Sequence, residues 1–387
     1  MRKLSPEFLL AAACCRWPPS EPAVRVRAAA VDWAKFLAVI RRQRVEGLAS
    51  NALRRSGIPL PDAIATELRA AAAEIARLNL AFVAESRRLQ RMFDGAGLDF
   101  LFVKGATLDM LGYGSLALKR ARDIDMLIAP ADVATACELL AQAGYARTIP
   151  GPEVGPDRFG RWIELCKETN WYHPATGIVV ELHTDLVDNP ALLPGVDTGA
   201  PRQTVEVAPG IALETLATEQ LFAYLCVHGA THAWSRLKWV ADVGALLSSL
   251  DPDAIEQLYR KSLAIGVGRC SAQALLLCRE LFELPLPERL LAELEADRVS
   301  VWLRDLALQV MTGQSGAELD DTVLGTIPIH VSHFALASGW RYRLSELTRK
   351  LQSRQDQVDI PLPRPLTFLY PLIAVPSWLW RRARAAS

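Results

Sequence analysis

Two aspartates, Asp123 and Asp125, stand one residue apart in the otherwise apolar run Asp123-Ile124-Asp125-Met126-Leu127-Ile128. On a β-strand, residues i and i+2 leave the same face, so both carboxylates point one way while Ile124 and Met126 enter a core on the other. Two carboxylates held that close repel each other, and a hard divalent cation taking oxygen ligands removes the cost. Mg2+ with nucleotide phosphates suits the pair, because this ion uses one or two protein carboxylates and completes its octahedron from phosphate and water. A bare Asp-x-Asp is more often a solvated acid pair balanced by Arg120 and Arg122. A third carboxylate, Glu181, shifts the weighing, since it lies among apolar residues in the strand-like Val179-Val180-Glu181-Leu182-His183. Three acids on neighbouring strands are what two-metal phosphoryl chemistry requires: one ion aligns the attacking oxygen and the other holds the triphosphate.

Basic groups accompany the acids. A strand-like run over 98–103 ends in Lys104-Gly105, where the glycine permits close backbone approach and the ammonium offers a point charge to a phosphate. Thr107 is the nearest hydroxyl. Lysine is scarce beside arginine, which makes Lys104, Lys119 and Lys238 noticeable among the motifs; each also reads as a solvated side chain. Arg120 and Arg122 precede the first aspartate, placed either to grip phosphate oxygens in a bidentate way or to pair with Asp123. His183 shares Glu181's strand face. His228 and His232 share a helix face, but Gly229 stands where a zinc protease needs glutamate, so zinc hydrolysis is not supported. With Trp234, Lys238 and Asp242 these histidines read either as the wall of a base or acceptor pocket or as a core helix pair.

This order of features resembles the nucleotidyltransferase superfamily that includes DNA polymerase beta, and more narrowly the bacterial family of uncharacterised nucleotidyltransferases. The likeness rests on Val103-Lys104-Gly105-Ala106, the basic residues before Asp123, Val180-Glu181-Leu182-His183, and the histidine and Lys-Trp-Val-Ala-Asp segments over 226–242. It spans approximately residues 30–350. It implies transfer of a nucleoside monophosphate from an NTP, with Mg2+ or Mn2+ held by Asp123, Asp125 and Glu181, and with Glu181 as the base for the acceptor. Lys104, Gly105, Thr107, Lys119, Arg120, Arg122, His183, Lys238 and Asp242 are the nucleotide-binding expectations. The broad superfamily carries Gly-Ser or Gly-Gly in the first turn; Lys104-Gly105 departs from that but is shared by the narrower family. Some members of that family accompany gene clusters for ribosomally made lasso peptides, which makes a peptide one acceptor to test, beside small molecules and proteins. Nucleotide binding without transfer, phosphosugar transfer, and a toxin that modifies tRNA are the alternatives carried with this reading.

The elements that must position these residues follow from patterning. Helical texture fills 1–97, with amphipathic stretches over 31–56 and 61–93. The unit 98–210 reads as the catalytic core, with strands over 98–103, 123–128, 162–172 and 178–183, a helix over 130–144, and a hairpin turn at 173–177. Helices resume over 213–229 and continue through a domain over 211–358, before a proline-rich apolar tail over 359–387. The expected class is α+β, a small mixed sheet between helical flanks. Length agrees, since 387 residues allow two or three packed units. With 43 basic against 43 acidic residues there is no surplus of cations to release counterions along a long nucleic acid, so templated polymerisation is not expected. Seven scattered cysteines without a C-x-x-C pair predict free thiols and a cytoplasmic setting. The start, broken by Pro6 and Glu7, reads as an amphipathic helix rather than a signal peptide. The tail over 366–380 would reach only about 22 Å as a helix against a hydrocarbon core of about 30 Å, and is expected to pack on the surface rather than lie in a membrane interface.

Overall fold

The acid-bearing run forms strand β2 (Asp123–Ile128), and the apolar run before it forms β1 (Phe100–Phe102). The computed structural model describes residues 4–313, 327–352, 354–374 and 376–377. With β3 (Ala146–Ile149), β4 (Glu168–Tyr172) and β5 (Val179–His183), these strands make one mixed sheet in the order β1-β2-β5-β4-β3. β2 and β5 run parallel, and the other neighbours are antiparallel. Asp125 is therefore paired with Glu181, and Glu168 of β4 with His183. Along β2 the period of two separates the cores: Ile124, Met126 and Ile128 join the smaller apolar cluster, and Leu127 joins the larger one on the opposite face. Asp125 shares Leu127's face, so its carboxylate looks toward the helical side of the molecule.

Helices α1 (Pro6–Cys15), α2 (Glu21–Ala28), α3 (Trp33–Gln43), α4 (Glu46–Ser56) and α5 (Asp62–Gly95) precede the sheet. The first is capped by the Ser5 hydroxyl and buried on most sides, so it is a core helix rather than an amphipathic one. Within α5, buried Leu68, Ile75, Asn79 and Val83 recur at three to four residues or its double, one stripe of a long helix. Asn79 is the polar member of that stripe and clamps the segment before β2: its amide donates to the carbonyls of Leu116 and Lys119 and accepts from Ala121 N–H. Helix α4 meets the same segment through Gly47, where a Cβ would lie 2.3 Å from the Leu118 carbonyl oxygen.

After β1 come α6 (Ala106–Tyr113), α7 (Val133–Gln142) and α8 (Pro156–Leu165). The expected strand over 162–172 is thus split. Residues 162–165 end α8, and the Trp162 indole donates to the Glu168 carbonyl, turning the chain into β4. The turn over 173–177 does join two antiparallel strands, β4 and β5. A second correction concerns 213–216, expected as the start of a helix over 213–229. These residues belong to β7 (Ile211–Leu216), paired with β6 (Arg202–Ala208) through a turn at Pro209-Gly210, and helix begins only at Thr218. The remaining helices are α9 (Thr218–Thr231), α10 (Leu237–Leu247), α11 (Pro252–Ile265), α12 (Gly268–Phe282), α13 (Glu288–Ala296), α14 (Arg298–Thr312), α15 (Ile327–His333), α16 (Trp340–Leu351) and α17 (Arg354–Asp359). The larger core joins residues of α1, α3 and α4 to α9, α10 and α12, so the arm and the later helices share one interior. All seven cysteines are free thiols. No described helix is long and apolar enough to cross a membrane, and residues 378–387 of the tail lie outside the described residues.

Candidate active site

The carboxylate face of β2 and β5 opens into a cleft of about 320 Å³. One wall is the turn after β1, where Lys104 and Gly105 lead into α6. Gly105 has φ +67° and ψ −131°, a backbone region that side-chain-bearing residues rarely adopt, and it is the N-cap of α6. A second wall is the clamped segment carrying Arg120 and Arg122. Helices α9 and α10 close the opposite side with Tyr224, His228, Lys238 and Asp242, and the loop after α3 contributes Arg44. Seven basic and six acidic side chains line this one cleft, so a chain of zero net charge concentrates both signs here.

Asp125 is the buried centre. Lys104 Nζ lies 3.0 Å from its Oδ1, and His183 Nε2 lies 3.1 Å from the same oxygen. His183 Nε2 is also 3.6 Å from Glu181 Oε2, while its Nδ1 faces Glu168 Oε2 at 3.4 Å without hydrogen-bond alignment. Lys167 Nζ in turn sits 2.9 Å from Glu168 Oε2. Burial opposes ionisation of Asp125, but Lys104 and His183 outweigh it and hold the carboxyl well below its ordinary range. His183 is displaced the other way: burial disfavours its charge, and the Asp125 and Glu181 carboxylates overcome that and raise its pKa. Asp123 is pushed up to about 6, first by burial and then by the charge of Asp125.

Cations crowd the other end. Arg44 is pulled down to about 10 by burial and by the neighbouring Arg236 and Arg122 guanidinium groups. Lys238 is lowered to about 8, mainly by burial and then by Lys119. Cationic groups that depress one another's charge form a site that an anion would stabilise. Lys119 is differently placed. Its ammonium contacts Asp109 at 2.9 Å and Asp242 at 2.7 Å, and Asp242 also accepts from the Tyr113 hydroxyl at 3.1 Å. That group braces the wall between α6 and α10.

A protein-family model described as an uncharacterised nucleotidyltransferase matches residues 29–283, more than half of the chain. The chain belongs to this family. No curated protein matches it. The matched span contains the whole lining of the cleft, from Arg44 to Asp242.

Within this nucleotidyltransferase fold the expected residues fall into two groups. Asp123, Asp125, Glu181, His183, Lys104, Gly105, Arg120, Arg122, Lys119, Lys238 and Asp242 all line the one cleft. Thr107 does not: it is fully buried, and its hydroxyl donates to the Lys104 carbonyl at 3.2 Å, which removes it as a phosphate contact. Trp234 is also absent from the lining. It is completely buried between α9 and α10, and Trp239 takes the place expected for it, with its ring stacked on His232 at 5.1 Å. Arg44, Lys167, Glu168, Tyr224 and Trp239 are lining residues that the motifs did not single out.

The donor atoms of Asp125, Glu181 and His183 all lie within 4.8 Å of one another, the compact metal-type cluster among the described residues. Two carboxylates on paired strand positions, with a third raised by burial and then by the charge of Asp125, fit a hard divalent cation such as Mg2+ or Mn2+. His183, hydrogen-bonded to Asp125, fits the role of orienting that carboxylate. Asp123, expected as a ligand, is on the same strand but outside that compact set.

Proposed function

We propose that this protein is a divalent-metal-dependent nucleotidyltransferase that moves a nucleoside monophosphate from an NTP to a hydroxyl or phosphate of a small-molecule, peptide or protein acceptor. The observation that carries the reading is the pairing of Asp125 with Glu181 on parallel strands, facing a cleft whose other end is crowded with Arg44, Arg122 and Lys238. The crowded cations and the α6 N-terminus suit the triphosphate. The stacked His232 and Trp239 rings offer a flat face to the base. Lys104 neutralises Asp125 until phosphate enters, and can then turn its ammonium to a phosphate oxygen. In the transfer, the acceptor oxygen forms a bond to the α-phosphorus while the bond from that phosphorus to the bridging oxygen breaks. Pyrophosphate departs with the electron pair, and the acceptor proton passes to the Glu181 carboxylate. A bound cation would supply charge neutralisation on the phosphates and a lowered pKa for the acceptor hydroxyl.

Purified protein incubated with each NTP labelled at the α-phosphate, Mg2+ or Mn2+, and a metabolite or peptide extract should yield a labelled acceptor and pyrophosphate. Asp125→Asn and Glu181→Gln should each lower the rate by about a hundredfold or more, with the fold retained by circular dichroism. Equal labelling by the variants would refute the assignment. A second reading, nucleotide binding without transfer, is favoured by one feature: the Lys104–Asp125 ion pair occupies the oxygen a cation would use. NTP binding with no Asp125-dependent product from any extract would select it.

A further inference from the structure

A second cavity, about 480 Å³, opens beside the cleft and shares Lys167, Leu186, His228 and His232 with it as a common wall. Its far wall is built from α15 and α16, which lie beyond the span matched by the family model. The donor cleft therefore lies wholly within the matched span, and this chamber is completed by residues beyond it. Three basic side chains, Lys167, Arg349 and Lys350, line it against two acidic ones, and four histidines add polar edges. The acids do not offer themselves to a ligand equally. Glu346 is buried at 2% exposure and spoken for, accepting from Arg349 Nη2 at 2.6 Å and Asn189 Nδ2 at 3.1 Å, with Lys350 Nζ 3.3 Å away. Lys350 Nζ also lies 3.2 Å from both His330 Nδ1 and His333 Nδ1. One carboxylate thus organises two long-chain cations into a fixed cluster; the other acid, Asp188, lies 4.0 Å from Lys167 and also faces these two cations, so the lining as a whole keeps an excess of one positive charge, three cations against two carboxylates.

We propose that this chamber is the acceptor subsite and that it takes a small acceptor bearing an anionic group, a phosphomonoester or a carboxylate, held by the Arg349–Lys350 cluster. The inference rests on the nucleotidyltransferase reading. It assigns the chamber to the acceptor rather than to the base because a neutral base gains little from clustered cations, whereas an anion gains charge-assisted hydrogen bonds. It also accounts for the division of the chain: a shared donor cleft, and an acceptor wall supplied from outside the matched span.

The test uses the full chain saturated with Mg2+ and α,β-methylene ATP, whose α–β link cannot be cleaved. Glycerol 3-phosphate, glycerate and glycerol are then titrated calorimetrically as phosphate, carboxylate and neutral probes. One or both anions should bind the loaded protein and glycerol should not; which anion binds assigns the group. Lys350→Gln should weaken that binding by about tenfold while leaving affinity for the ATP analogue unchanged, and Lys350→Arg should restore it to within about threefold. Arg349→Gln, checked for folding by thermal melt, provides a second variant with the same expected loss. Anion binding only to nucleotide-free protein would place the anion in the triphosphate cleft and overturn the proposal. So would equal binding of glycerol, absence of anion binding, or indifference to both substitutions in folded protein. The donor reading is scored apart: failure of the ATP analogue to bind, or its indifference to Lys104→Met, counts against the nucleotide cleft whatever the anions do. In that case anion binding that Lys350→Gln removes from the unloaded chain leaves the chamber an anion site but overturns its role as acceptor subsite.

Discussion

Replacing Asp109 by asparagine should stabilise the protein at neutral pH, which is the reverse of what deleting a buried salt-bridge partner ordinarily does. Asp109 and Asp242 are buried and the Lys119 side chain is only 10% exposed, so two carboxylates share one ammonium and the group carries an excess negative charge. The Asp109 contact is the poorer of the two: its Oδ1 is 2.9 Å from Lys119 Nζ but lacks hydrogen-bond alignment, whereas Asp242 is properly bonded at 2.7 Å. Burial, opposed only in part by Lys119, pushes the Asp109 carboxyl up from 3.8 to about 6. A carboxyl raised in the folded state keeps its proton there while the unfolded chain has lost it. Its contribution is therefore fully present below about pH 3.8 and is lost as pH rises to about 6. The gap amounts to roughly 3 kcal/mol. Asparagine keeps the shape, carries no charge, and leaves Lys119 paired with Asp242. Urea unfolding of wild type and Asp109→Asn, followed by circular dichroism from pH 4 to 7, should show wild type losing stability with rising pH more steeply than the variant, in which Asp123 and His183 still titrate. The difference should open in the variant's favour by up to about 3 kcal/mol, less whatever the lost contact contributed. Parallel pH profiles, or a variant less stable than wild type at pH 7 by several kcal/mol, would show that Asp109 is a required counterion and refute the reasoning.

Lys238, lowered to about 8, is an ammonium at pH 7 and largely neutral at pH 9. Nucleotide affinity measured by calorimetry should therefore fall by about tenfold over that interval, and Lys238→Met should be weaker at pH 7 and flat between the two. Gly47→Ala would drive a methyl group into the Leu118 carbonyl, which the Asn79 clamp prevents from moving aside. A loss of about 2–4 kcal/mol in urea unfolding, together with weaker nucleotide binding, is expected. Gly105→Ala meets no atom within 4 Å, so its cost comes from the backbone alone at φ +67°. That strain is worth about 1–3 kcal/mol, read in the same unfolding assay.

The part of the site that lies on strands was legible in the sequence, because a period of two fixes which side chains share a face and apolar neighbours mark the strand. Asp123, Asp125, Glu181 and His183 were found that way, and β2 and β5 carry them as expected. Helical texture is less informative. Over 226–242 it pointed to Trp234, whereas Trp239 lines the cleft, and the difference depends on where α10 begins. Trp234 falls in the link before that helix, at φ +49°, and turns inward, while Trp239 is on its first turns and faces the cleft. Arg44 had no signal at all. It sits in the left-handed cap after α3, and only the packing of the arm against α9 and α10 in a common core brings it to a cleft about eighty residues further along. Likewise Glu168 became visible only once β4 was registered against β5, since its place beside His183 comes from strand pairing.

The charge arrangement explains why this cleft needs so much surrounding protein. A buried Asp125 with Lys104 and His183 on one oxygen is already neutralised, so on the proposed function an arriving cation would have to displace the Lys104 ammonium rather than simply fill a gap. Displacement becomes favourable when the ammonium has another anion to meet, and a triphosphate brought in by Arg44, Arg122 and Lys238 is such an anion. Nucleotide and metal would then favour each other's binding, because each relieves the charge imbalance the other creates. For that exchange to work, the cations must not relax onto nearby acids in the meantime. The rigid Asn79 clamp, the Gly47 contact and the Asp109–Lys119–Asp242 brace all hold the segment before β2 in place, and each belongs to a helix that lies outside the sheet. The flanking helices are on this account part of the electrostatic machinery of the site as much as its cover.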